Sequence, residues 1–383
     1  MMPRWVKAHD TSVIPAVVII VVGLILLTNL SLSWGFEVYN STPGSRAMGM
    51  AGVFSAQADD SSAIWYNPAG LKQASMGTSD MTIDISERIT SDDNVHFSTS
   101  DTAITYAAAY SNNIPFLQRW TDSVGLGIAY HSPYQLAINV NENVDPSDVS
   151  SRTYGLINAT YQQVSGVIAA SMGQTLSIGT TVDMLWADID CVDYGFCVKN
   201  APYGMGASLG VLYSAYKSDR TTVNLGAVWR SRVSIDYRST PNSGIGSVLG
   251  GYIPDRPESY NLGLNLRYFA PSVLINSNVI IERTSWGDAA GEAPALSNYN
   301  KFGVSTELLF PTTANNVVAL RVGVASAAAQ RSRSPFSHVD TLALGIGVSL
   351  FKSHLVDLAW QLRDISGSGN VKMVSVSYSF QYK

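Results

Sequence analysis

Beyond its first 35 residues the chain has no run of the roughly 18 uncharged apolar residues that a membrane helix requires. If it crosses a membrane there, it must do so with strands. Charge is scarce: Asp, Glu, Lys and Arg make up 14% of 383 residues, and 24 basic against 29 acidic side chains leave a formal charge of −5. No basic surplus or patch suggests nucleic acid as a partner. There are only two cysteines, Cys191 and Cys197, set in a polar stretch. Without nearby His they make a poor metal site; in an oxidising compartment they are either a small loop disulfide or two free thiols. No G-x-S-x-G elbow occurs, although a lipase would need a Ser and a His within hydrogen-bond reach. Of five histidines, His9 lies in the N-terminal leader, and His96, His131, His338 and His354 fall in loops or near strand ends, where solvated or interfacial roles are commoner. No enzyme activity, cofactor or metal is expected.

What the chain does have is Gly (31), Tyr (19) and Trp (8), with a mean hydropathy of only +0.10. The N-terminus carries Arg4 and Lys7, an apolar run from Val13 to Leu27, and the small residues Ser31 and Ser33 before Trp34. This is the layout of a secretory signal peptide, with cleavage after Ser33 or Gly35; the competing reading is a retained helix. Removal of residues 1–35 takes away Arg4, Lys7 and Asp10, leaving 22 basic against 28 acidic residues, or −6.

The remainder alternates with a period of two. Leu342, Leu344, Ile346, Val348 and Leu350 share one face, opposite Ala343, Gly345, Gly347 and Ser349. Ile178, Val182, Met184 and Trp186 stand opposite Ser177, Gly179, Thr181 and Asp183, and Met205, Leu209, Val211 and Tyr213 opposite Gly204, Gly206, Ser208 and Gly210. From Ser79 to Tyr382 this predicts about 14 strands, starting near residues 79, 102, 122, 152, 175, 203, 221, 258, 273, 299, 316, 339, 354 and 371. Long connections alternate with short ones, the first long one falling between the first two strands. Such sidedness belongs to an antiparallel outer-membrane β-barrel, with short periplasmic turns and long outer loops. Val374, Val376, Tyr378, Phe380 and Tyr382 give an alternating aromatic last strand of the sort that barrel-assembly machinery recognises, although the chain ends in Lys383. The predicted fold is therefore all-β, with a barrel over 79–383.

Residues 36–78 do not alternate. Gly44, Gly49, Ala51, Gly52, Ala56, Ala58 and Ala63 suit short, tightly packed helices, and Asn67-Pro68 makes a helix stop and turn. A segment of this kind ahead of a barrel reads as a plug in the lumen or as an N-terminal helical cap. The run GSRAMGMAGVFSAQADDSSAIWYNPAGL resembles the hatch signature of the FadL-type transporters of long-chain fatty acids and other hydrophobic compounds: a Gly/Ala-rich stretch leads through the acidic pair Asp59-Asp60 to the turn Asn67-Pro68-Ala69. VGLGIAYHSPYQLAINV resembles the same family's kinked third strand, where Gly125, Gly127 and Pro133 would interrupt pairing.

The resemblance implies uptake of a hydrophobic small molecule, released sideways into outer-membrane lipid through the barrel wall, by a single chain. Tyr194, Phe196, Val248, Leu249, Tyr252 and Ile253 of the outer loops would form an apolar landing patch, and Phe36 would reach the pocket or pack under the hatch. Strand alternation points Arg230, Arg232, Arg267 and Arg321 inward, either to receive a carboxylate or, more simply, to pair with lumenal acids such as Asp183, Asp236, Glu282 and Asp357. A rival is a PorV-type secretion-associated barrel, similar at the hatch but serving as a docking platform for proteins.

Overall fold

The computed structural model describes residues 39–40, 42–72, 79–92, 95–111, 121–143, 152–173, 175–192, 203–235, 255–285, 298–312, 315–329, 338–351, 353–365 and 369–382. The strands are β1 (Tyr39–Asn40), β2 (Ser79–Asp92), β3 (Val95–Ser111), β4 (Ser123–His131), β5 (Tyr134–Asn143), β6 (Arg152–Met172), β7 (Leu176–Val192) and β8 (Gly204–Lys217). They continue as β9 (Thr221–Arg230), β10 (Glu258–Phe269), β11 (Leu274–Ser285), β12 (Tyr299–Pro311), β13 (Val317–Ala329), β14 (His338–Leu350), β15 (His354–Ile365) and β16 (Gly369–Tyr382). Each pairs antiparallel with its neighbours, β16 returns to β2, and the ring closes through β6 and β7. With β4 and β5 counted as two halves of one interrupted strand, the result is a closed barrel of 14 strands.

The alternation that predicted the strands also sets the solvent. Ile83, Leu126, Ile168, Val182, Leu209, Leu262, Ile281, Leu344 and Val376 point outward and are exposed, while Asp84, Ser165, Asp183, Asn265, Asn278, Glu307 and Gln361 point inward and are buried. Apolar outside and polar inside is the arrangement that hydrocarbon surroundings demand. Aromatic residues border the apolar band. On one side the exposed Tyr260 hydroxyl and the Trp229 indole both donate to Glu258, at 2.8 and 2.7 Å. On the other, His354 Nδ1 lies 2.7 Å from the Tyr378 hydroxyl and beside the Phe380 ring, an interfacial position.

One boundary differs from the sequence expectation. No long loop separates the first two strands: residues 90–92 and 95–101 continue the ladder up to the pair Asp92↔Val95. Apart from Val95 and Phe97 the run TSDDNVHFSTSD is polar, so its period-two signal is too short to mark a strand, yet a strand running past the hydrocarbon layer needs no apolar face. Other strand starts fall within two residues of expectation.

Residues 42–72 lie within the ring of strands as two one-turn helices, α1 (Ser45–Met48) and α2 (Ala63–Tyr66), and a 3-10 turn, Pro68–Lys72. The segment carries its own small core of Ala47, Met50, Phe54, Ala58 and Ala63. It follows the wall closely, and inward-facing glycines make the room. A Cβ on Gly323 would stand 2.3 Å from the Met50 carbonyl carbon, one on Gly210 2.2 Å from Asn67 Oδ1, and one on Gly179 2.4 Å from the Pro68 carbonyl carbon. These distances are impossible for real atoms, so at this level the lumen admits the segment only because the wall lacks side chains there.

Candidate functional site in the lumen beside a break in the wall

The third stave of the barrel is broken. β4 pairs with β3 on one side, from Ser111↔Ser123 to Ile104↔Tyr130, and with β6 on the other. At Ser132-Pro133 the strand stops, and proline offers no amide to a ladder. β5 resumes the pairing with β6, but among the described residues it makes none with β3. Its free edge is instead met by β1, through Tyr39↔Gln135 and Asn40↔Tyr134. Among the described residues, 95–103 of β3 are thus paired with β2 alone, and no backbone ladder joins them to β5. Gly125 and Gly127 stay in register on both sides, so pairing is interrupted at Pro133 and not at them. Their role is space: a Cβ on Gly125 would reach Leu71 at 3.4 Å, and one on Gly127 would meet Ile64 at 3.0 Å.

Behind the break lies a cavity of about 110 Å³, bounded by His131 and Pro133 from the wall and by Ile64, Trp65 and Tyr66 from the inner segment. Gln163, Asp183, Arg230, Arg256, Glu282 and Lys301 complete its polar side. The Trp65 and His131 rings stack at 4.7 Å between centroids. Tyr66 donates to the Pro43 carbonyl at 3.0 Å, and burial together with nearby Asp84 and Asp60 pushes its phenol well above the ordinary range, so it stays neutral.

The inner segment is tied to the wall by charge. Glu307 of β12 accepts two bonds from Arg46 at 2.8 Å, one from Arg321 at 2.8 Å, one from Gln57 at 2.7 Å and one from Asn276 at 2.9 Å. Arg46 also pairs with Asp59 and Asp60, at 2.8 and 3.0 Å. Asp84 of β2 accepts from the backbone amides of Gly44 and Ser45 and so caps α1 in the absence of a local capping side chain. Asn67 donates to the carbonyls of Ser55 and Val211 at 2.9 and 3.1 Å while its own oxygen accepts from Ala69, holding two turns of the segment and β8 together.

The inward arginines divide. Arg230 lines the cavity and donates to the carbonyls of Trp65 and Tyr66. Arg267 pairs with Asp59 at 2.6 Å, and Arg321 with Glu307 and Asp357, so both are engaged as structural cations. Arg232, expected inward, points outward instead: its side chain is 45% exposed and pairs with Asp255 at 2.7 Å, whereas its neighbour Val233 is fully buried. β9 ends at Arg230, and Ser231 bonds twice to Ala207, which shifts the alternation by one before the bridge Val233↔Arg256. His131 also differs from expectation, being 6% exposed and against the cavity. Arg256, at the end of the long 231–257 connection, was not visible as an inward residue; it returns to the wall through that bridge and pairs with Asp183 at 2.7 Å. The outer-loop candidates Tyr194, Phe196, Val248, Leu249, Tyr252 and Ile253, as well as Phe36, Asp236 and Cys197, lie outside the described residues, and of Cys191 only the backbone, in β7, is described.

By sequence, no family model and no curated protein matches the chain. By structure, it is similar to a FadL homologue of Pseudomonas aeruginosa, with a TM-score of 0.54 and 13% identity over 92% of this chain and 99% of that one. It is similar also to the toluene transporters TodX of Pseudomonas putida (0.54, 13%, 91% and 99%) and TbuX of Ralstonia pickettii (0.54, 15%, 91% and 99%). Barrel closure, strand count and near-complete mutual coverage agree: the chain has the fold of the FadL-type transporters.

Proposed function

We propose that the chain takes up hydrophobic small molecules across the bacterial outer membrane and releases them sideways through the gap between β3 and β5. One observation carries this reading: the ladder is interrupted at Ser132-Pro133 with a cavity directly behind it. A sealed barrel would offer an apolar molecule no way into lipid except through polar lumen.

The structurally similar toluene transporters support a hydrophobic cargo. A long-chain fatty acid is the finer form expected from the sequence. A cavity of about 110 Å³ is on the scale of one aromatic ring, since an apolar cavity of about 150 Å³ accommodates benzene.

In the same reading, residues 1–35 are a removed leader, 36–78 serve as the hatch, and barrel-assembly machinery inserts the single chain into outer-membrane lipid. The test is uptake of radiolabelled toluene and oleate by cells carrying or lacking the protein, at matched barrel levels. Dependence on the protein for either compound is expected; equal uptake of both with and without it contradicts the proposal.

A further inference from the structure

Three residues around the cavity hold buried nitrogen atoms with no hydrogen-bond partner: His131 Nδ1, Trp65 Nε1 and Arg256 Nε. The residues are 6%, 8% and 3% exposed, so bulk water does not compensate them. A buried polar group without a partner forfeits its hydration with nothing in return, and three around one cavity need a common explanation. The neighbouring polar groups are already committed. Arg256 gives one terminal nitrogen to Asp183 at 2.7 Å and Gln163 at 3.1 Å and the other to the Ser231 carbonyl at 3.1 Å, which fixes the guanidinium and leaves Nε–H over. Asp183 is saturated further by Ser165 and Ser208.

The chemistry of the leftover atoms is one-sided. An indole N–H and a guanidinium N–H can only donate, and a histidine Nδ1 can do so in the appropriate tautomer. Such a set calls for an oxygen acceptor. The aromatic side of the cavity, Trp65 with Tyr66, offers a flat apolar surface next to it.

Building on the transport reading, we infer that the cavity is a binding site for a ring-sized molecule bearing one oxygen function, with the oxygen held by Trp65, Arg256 and His131 and the ring against the aromatic side. A pure hydrocarbon would leave all three nitrogens bare. A neutral carbonyl and a carboxylate share the acceptor chemistry and differ in how strongly they call on the cations Arg230 and Lys301 at the same cavity.

The experiment is equilibrium binding to the purified full-length protein in detergent. Acetophenone and ethylbenzene, which differ only by a carbonyl oxygen, are compared with benzoate as the charged probe. The expected result is at least tenfold tighter binding of acetophenone or benzoate than of ethylbenzene. In Trp65→Phe, which keeps a ring and removes the N–H, the ratio of acetophenone to ethylbenzene affinity should fall severalfold, whatever the change in ethylbenzene affinity itself; His131→Phe should act in the same direction. Because the readout is a ratio within one variant, partial loss of folded protein does not move it.

Equal affinity for the oxygenated and bare rings, or a preference that survives in both variants, overturns the inference and assigns the nitrogens to water. In that case protein-dependent toluene uptake would still uphold the transport reading. Absence of binding by all three probes, together with absent uptake, overturns both.

Discussion

Glu307 shows how much a single inward carboxylate can hold. It is fully buried and accepts bonds from Arg46 and Gln57 of the inner segment and from Arg321 and Asn276 of the wall. Removing one partner of a buried ion pair leaves uncompensated charge and costs about 3–5 kcal/mol. Glu307→Gln should therefore lower the thermal unfolding midpoint in detergent and open residues 42–72 to protease, while the barrel still inserts. An unchanged protease pattern would show that this network does not fasten the segment. Part of the network was legible: the period of two placed Arg230, Arg267 and Arg321 inward, and Asp357 was named as a counter-ion. Arg46 with the acidic pair Asp59-Asp60 was not, because ion pairs within an irregular segment follow no period. Arg256 and Arg232 escaped for a related reason, since the Ser231 irregularity shifts the alternation by one.

At the scale of elements, the inner segment and the glycines of the wall define each other. Gly179→Ala would push a methyl into the Pro68 backbone, whereas Gly166, in β6, has nothing within 4 Å of an added Cβ. Overpacking costs typically about 1–3 kcal/mol. Gly179→Ala should lower the unfolding midpoint and increase cleavage within 42–72, and Gly166→Ala should change neither; equal effects would mean that the segment is not seated against the wall. Asn67→Ala removes the two N–H groups that reach Ser55 and Val211, and the same cleavage assay should show a smaller effect in the same direction, a carbonyl left buried and unpaired costing about 1–3 kcal/mol. The strands were readable almost to the residue wherever one face meets hydrocarbon. The stretch from Thr90 to Asp101 was not, because Val95 and Phe97 alone among polar residues are too short a pattern to read as a strand. Asn67-Pro68 was readable as a turn, but not as a clasp between two turns and β8, which is a tertiary property.

For the whole molecule, three features meet at the interrupted third stave: the break at Ser132-Pro133, the cavity behind it and the short strand β1 on the edge of β5. Pro133 announced an interruption in the sequence. The chain does not announce that residues 95–103 of β3 pair with β2 and, among the described residues, with no strand on the other side, since that depends on where β5 goes. The most direct test of the lateral route is to close it reversibly. With Cys191 and Cys197 replaced by Ser, cysteines placed at Ser100 on β3 and Gln135 on β5 would be joined by a reducible bifunctional reagent, and uptake of a transported compound measured before and after reduction. The account predicts that bridging abolishes uptake and that reduction restores it. Equal uptake by bridged and reduced protein, with bridging verified on the same sample, would contradict passage through this wall.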